Sequence, residues 1–245
     1  MAEPVSAWYE AGDFRLHARV GGRPDGPAVV LLHGIAVSSR YMLPLARELG
    51  AWAHVFALDL PGFGRSAKPP RALGVSELAG ALESWLDAAE LEQPALVANS
   101  FGCQVAVELA ATRPGRLSSL VLVGPTIDSQ RRRRPVQVAR WLRTAFVERP
   151  PLHFVVARDA LAAGVVRSWQ TFGYALDDPI ETKLAGIAIP ALVVRGERDP
   201  LAPQQWSEEV ARLLPHGRLV VIPGAGHALN WSRPRELAAL VRDLV

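Results

Sequence analysis

Leu96-Val97-Ala98-Asn99-Ser100-Phe101-Gly102-Cys103 decides how this chain is read. The first half is a short apolar strand. It ends on a serine and passes straight into a helix. Ala98 and Gly102 stand two places before and two after the serine, as a sharp strand-to-helix turn requires where the two backbones crowd. Such a turn lifts the hydroxyl above the sheet, at the positive end of the following helix. The pattern is a nucleophile elbow, G-x-S-x-G, with alanine for the first glycine.

The sequence around it alternates strands and helices. Ala28–Leu32, Val55–Leu58, Pro94–Ala98, Leu120–Val123, Ala191–Val194 and Leu219–Ile222 are apolar runs too short for helices, as expected of strands buried on both faces. Val5–Tyr9 and Phe14–Val20 read as a hairpin around Ala11-Gly12-Asp13. Ser39–Leu49, Ser76–Leu91, Phe101–Thr112, Pro203–Leu214 and a last helix opened by Pro234 read as helices. The expected fold is α/β: a doubly wound, mostly parallel sheet of the eight-stranded type. Regularity breaks only after the strand that follows the elbow helix. The expected organisation is therefore a core of residues 1–126 and 187–245, with a helical segment, 127–186, inserted above the strand ends where ligands bind.

Composition narrows the class. The chain has 245 residues, 49% of them hydrophobic, with a single cysteine. That length supports a full core, and the lone cysteine excludes an internal disulfide or a cysteine metal cage. No apolar run is long enough to span a membrane, and Met1–Val5 lacks the start of a signal peptide, so a cytoplasmic protein is expected. The net charge is +3 and the positive charge is almost all arginine, with only Lys68 and Lys183 as lysines. The excess is concentrated: Ile127–Gly186 holds ten basic and six acidic residues. Basic and aromatic residues do not interleave along the core, which argues against nucleic-acid binding.

A serine hydroxyl needs a base, and the base needs an orienting carboxylate. Of six histidines, His227 follows a strand through Ile222-Pro-Gly-Ala-Gly, an approach able to carry a ring over the sheet edge. Asp199, after Val193-Val-Arg-Gly-Glu-Arg, stands at a strand end between serine and histidine; Asp128 is the reserve. The order Ser100, Asp199, His227 is that of one known triad class. The backbone N–H groups of Phe101 and of Ile35, after His33-Gly34, are placed to bind an oxyanion.

His33-Gly34, the Asp59-Leu-Pro-Gly-Phe-Gly-Arg-Ser66 loop, the elbow, Arg195–Asp199 and Gly226-His227 together resemble the α/β-hydrolase fold from end to end. The resemblance implies a serine carboxylesterase without metal or organic cofactor, whose inserted segment is a lid. A serine nucleophile separates the chain from the haloalkane dehalogenases and epoxide hydrolases, which use aspartate. Asn99 and Trp231 resemble positions of the carbon–carbon hydrolases of aromatic ring-fission products, where the Asn lines the substrate pocket. Trp169, with Val136, Trp141, Leu142, Phe146, Leu152, Phe154, Phe172 and Tyr174, is expected to cover an apolar acyl pocket. The layout also resembles the esterases acting on a pimeloyl group held by a carrier protein; there a basic lid docks an acidic partner, a role open here to Arg131–Arg134, Arg140 and Arg143. A ligand sensor without turnover is a third reading.

Overall fold

The computed structural model describes residues 3–245. Eight strands form one sheet: β1 (Val5–Ala11), β2 (Phe14–Gly22), β3 (Ala28–Leu32), β4 (His54–Leu58), β5 (Ala95–Asn99), β6 (Ser119–Val123), β7 (Ala191–Gly196) and β8 (Gly217–Ile222). Their order is β1-β2-β4-β3-β5-β6-β7-β8. β1–β2 and β2–β4 pair antiparallel, and every other pair is parallel.

The central strands sit between two apolar layers, which is why they carry no polar alternation. Successive side chains leave a strand on opposite faces. Val30, Leu32, Leu96, Ala98, Leu120 and Leu122 therefore point to one layer. It is closed by α2 (Val75–Ala88), α3 (Gly102–Thr112) and α7 (Gln204–Leu213). Val29, Leu31, Val97, Val121 and Val123 point to the other. There α1 (Leu43–Leu49), α8 (Leu229–Ser232) and α9 (Pro234–Arg242) cover the sheet.

The helical stretch expected at Ser39–Leu49 is two pieces, a 3-10 turn over Ser39–Met42 and then α1. Pro44 explains the break, because it has no N–H to donate inside a continuous helix but is tolerated in a first turn. α2 stops at Ala88, short of the expected Leu91. Glu90 takes a left-handed φ of 55° there, and the N–H of Leu91 returns to Leu86 O.

Between β6 and β7 the chain forms α4 (Arg134–Val147), α5 (Pro150–Ala163) and α6 (Val165–Asp177). This insertion is tied to the body from several sides. Asp159 of α5 is buried and accepts from Ser38 Oγ at 2.5 Å and from the Arg40 guanidinium at 2.9 Å. Arg167 of α6 donates to the carbonyls of Arg71, at 2.9 Å, and Pro69, at 2.5 Å. Lys68 donates to Ala162 O.

Candidate active site

The parallel register ends β3, β5, β6 and β7 at nearly one level: Leu32 faces Ala98, Asn99 faces Val123, and Val123 faces Val194. The residues just past those ends share one edge. Ser100 sits in the turn between β5 and α3 with φ 58°, a conformation that costs an L-residue roughly 1–3 kcal/mol. Hydrogen bonds hold it there: Ser100 N–H donates to Val123 O at 2.9 Å, and Ser100 O accepts from Cys103 N–H at 2.9 Å. Gly102 must be glycine, since a Cβ would stand 2.7 Å from His33 O.

Asp199 and His227 meet on the same edge. His227 Nδ1 lies 2.7 Å from Asp199 Oδ2, and both residues are buried. The other oxygen, Oδ1, accepts from the N–H groups of Leu201 at 2.8 Å and Ala202 at 3.2 Å. The carboxylate is thus fixed on one side and aimed at the ring on the other. Burial pulls the His227 imidazole down. The charge and hydrogen bond of Asp199, and then the charge of Glu148, outweigh it and hold the net value above the ordinary one. His227 Nε2 is buried without a hydrogen-bond partner among the described residues. Gly124, just past β6, closes the pair from below. A Cβ there would stand 2.8 Å from His227 Nδ1 and 2.9 Å from Asp199 Oδ2.

The turn after β3 supplies the facing wall. His33 is buried, with Nδ1 2.7 Å from Gly34 O and Nε2 accepting from Leu60 N–H at 3.1 Å. One nitrogen donates and the other accepts, so the ring is neutral, and burial lowers its affinity for a proton further. His33 braces the turn. Gly34 lies against the serine, where a Cβ would stand 3.1 Å from Ser100 Cβ. Phe101 follows the serine in sequence and Ile35 follows Gly34, and the N–H groups of both make no hydrogen bond among the described residues.

Other candidates fall elsewhere. Asn99 is buried, and its amide donates to Val123 O at 3.1 Å and His227 O at 3.3 Å, so it ties the elbow to the histidine loop instead of facing a pocket. Trp231 packs half-buried against the layer under α1 and α9. Trp169 is half exposed on α6, beside Phe172 and under the Arg134 guanidinium. Most of the aromatic residues expected to cover an acyl pocket, Trp141, Phe146, Phe154 and Tyr174 among them, face outward; Leu152 alone is fully buried. Asp128 caps the turn at Gln130 and pairs with Arg140 at 2.9 Å, which removes both from other roles. Arg132 pairs with Glu181. Cys103 is buried, its thiol pushed up by that burial and donating to Ala98 O.

Two residues carry no sequence signal and stand at the site. Gly124 is one. Glu148, just past α4, is the other: its Oε1 accepts from Ala228 N–H at 2.9 Å, one residue after His227. Among the described residues no group of three or more His, Cys, Asp or Glu stands together as a metal site, and no helix is long and apolar enough to cross a membrane.

Residues 29–240 match the alpha/beta hydrolase family. The chain belongs to that family. A putative carbamate hydrolase, RutD, from Klebsiella pneumoniae is 28% identical over 94% of this chain and 95% of its own length. Among solved structures, a membrane phospholipase A described as a bacterial virulence factor superposes with TM-score 0.85 at 25% identity, covering 99% of this chain and 86% of that one. A 2-hydroxy-6-oxo-6-phenylhexa-2,4-dienoate hydrolase from Rhodococcus superposes with TM-score 0.82 at 22% identity over 99% of each chain, a likeness of fold. This alpha/beta hydrolase keeps its serine, aspartate and histidine on one edge of the sheet.

Proposed function

We propose that the chain is a serine hydrolase of carboxylic esters, acting through Ser100, His227 and Asp199. One observation carries the reading: a strained serine at the β5–α3 turn shares its sheet edge with a buried His–Asp pair whose free nitrogen, Nε2, has no other partner among the described residues. In the proposed cycle, His227 Nε2 takes the Ser100 proton as Oγ adds to the ester carbonyl carbon. The carbonyl oxygen becomes an oxyanion held by the N–H groups of Ile35 and Phe101. The C–O bond to the alcohol breaks, and His227 returns its proton to the departing oxygen. Water then adds to the acyl-enzyme by the same route and releases the acid. Asp199 keeps the imidazole in the tautomer with Nδ1–H and stabilises its charged form. The helical insertion acts as the lid over this edge.

The named relatives support hydrolysis at a carbonyl: the structural neighbour is a phospholipase, and RutD is a putative carbamate hydrolase. Carbon–carbon cleavage draws less support, because the Asn99 amide is committed to backbone carbonyls. The test is turnover of a panel of p-nitrophenyl esters of rising acyl length, with a p-nitrophenyl carbamate and a ring-fission dienol beside it. Esters should lead. Ser100→Ala should lower ester turnover by at least on the order of 10⁴ while the far-UV circular dichroism stays unchanged. Full activity in that variant sinks the assignment; dienol cleavage ahead of every ester shifts it to the carbon–carbon class.

A further inference from the structure

Helix α4 is built inside out. Gln137, Arg140, Thr144 and Glu148 recur at helical spacing on the less exposed side, where Gln137 donates to Arg131 O within the insertion and Glu148 accepts from Ala228 N–H of the body. The opposite face carries Leu142, 53% exposed, and Phe146, 91% exposed. An ordinary surface helix does the reverse. The next two helices continue the apolar surface. α5 turns Leu152, Asp159 and Ala163 inward and leaves Phe154, 79% exposed, and Leu161, 77% exposed, outside. α6 adds exposed Val165 and Val166. Most of the large exposed apolar side chains of the protein lie on this one insertion.

Its charge is equally one-sided. Five of the six acidic residues of the insertion are occupied: Asp128 by Arg140, Glu181 by Arg132, Asp178 by Lys183, Asp159 by Arg40, and Glu148 by Ala228 N–H. Arg131, Arg133, Arg143, Arg149 and Arg158 are exposed and have no carboxylate within ion-pair distance among the described residues. An apolar aromatic face rimmed by free guanidinium groups is complementary to a surface that is apolar below and anionic on top.

We propose that the outward faces of α4 and α5 dock on an anionic lipid surface, Phe146 and Phe154 entering the acyl boundary and the arginines engaging lipid phosphates. A second copy of the chain is a poorer occupant, because a two-fold contact would set the same arginines against each other. The inference is independent of the ester reading, since Ser100 has no part in it.

Sedimentation with vesicles tests it, using phosphatidylglycerol mixed with phosphatidylcholine against phosphatidylcholine alone. The intact protein and Ser100→Ala should both pellet with the anionic vesicles, and less as salt is raised. Phe146→Ser should weaken that partitioning about tenfold. Arg143→Glu should weaken it by about fivefold or more. Both variants should keep the circular dichroism spectrum and the turnover of a soluble ester. Intact protein that stays in the supernatant overturns the proposal. So does a Phe146→Ser variant retained as well as its parent, a dimer that Phe146→Ser converts to monomer, or competition by polyglutamate to which Phe146 is indifferent.

Discussion

At Ser100 the backbone and the chemistry make opposite demands. A side chain at φ 58° is strained, yet that turn is what brings the hydroxyl to the sheet edge at the start of α3. The neighbours leave almost no tolerance. Gly124 has φ 55°, and a methyl there would press on both members of the His227–Asp199 pair. Gly124→Ala should therefore move the ring more than it unfolds the protein. The expected result is a fall in kcat on the order of 10²-fold, the scale of an ångström-sized misplacement, with a stability loss of about 2 kcal/mol. Steady-state kinetics beside urea titration separates the two. Wild-type kcat in that variant would show that the ring is not held from below. The pattern of small residues at 98 and 102 was legible from the sequence because the elbow is local. Gly124 was not, since its constraint comes from Asp199 and His227, far along the chain.

Among the elements, α4 couples the insertion to the histidine loop. Glu148, just past its end, both accepts from Ala228 N–H and adds to the field that raises His227. Those two effects come apart by substitution. In the proposed cycle His227 must be neutral to act as base, so with its value raised, kcat/KM should climb with pH through a midpoint above that of free imidazole. Glu148→Gln keeps an acceptor oxygen but loses the charge, so the midpoint should shift to lower pH with little change in plateau. Glu148→Ala loses both and should lower the plateau as well. A pH–rate profile identical in all three forms removes Glu148 from the site. The strands were readable in sequence because parallel strands buried on both faces appear as apolar runs, and the meeting of Ser100, Asp199 and His227 on one sheet edge was readable because three of those runs end just before them. The insertion was readable only as helices between prolines. Which way each face turns depends on distant partners, Ser38 and Arg40 for Asp159 and the Ala228 N–H for Glu148, and no local period encodes them. Phe146 was expected inward for its apolarity and stands outward because Gln137 and Glu148 hold the opposite face of the helix.

Over the whole molecule, Asp59 joins parts that are far apart in sequence. One buried carboxylate accepts from Ser39 N–H after β3 at 2.6 Å and from Arg65 N–H in the following loop at 2.9 Å, and lies 2.7 Å from His17 Nδ1 on β2. Burial alone would raise its proton affinity; the His17 hydrogen bond and the two backbone donors outweigh that and hold it below the ordinary aspartate value. A depressed carboxylate contributes stability that is fully present above its unfolded value and is lost as pH falls through its folded value. Acid should thus loosen the sheet edge at β2, the 3-10 turn before α1 and the Leu60–Ser66 loop together, and with them the wall that positions Ile35. Asp59→Asn offers one acceptor oxygen where three donors converge, so a loss of about 3 kcal/mol at neutral pH is expected. Its stability should then fall less steeply toward acid than that of the parent, because the group that titrated is gone. Urea midpoints across a pH series measure both quantities, and parallel curves for the two proteins would place the acid sensitivity of this fold somewhere other than Asp59.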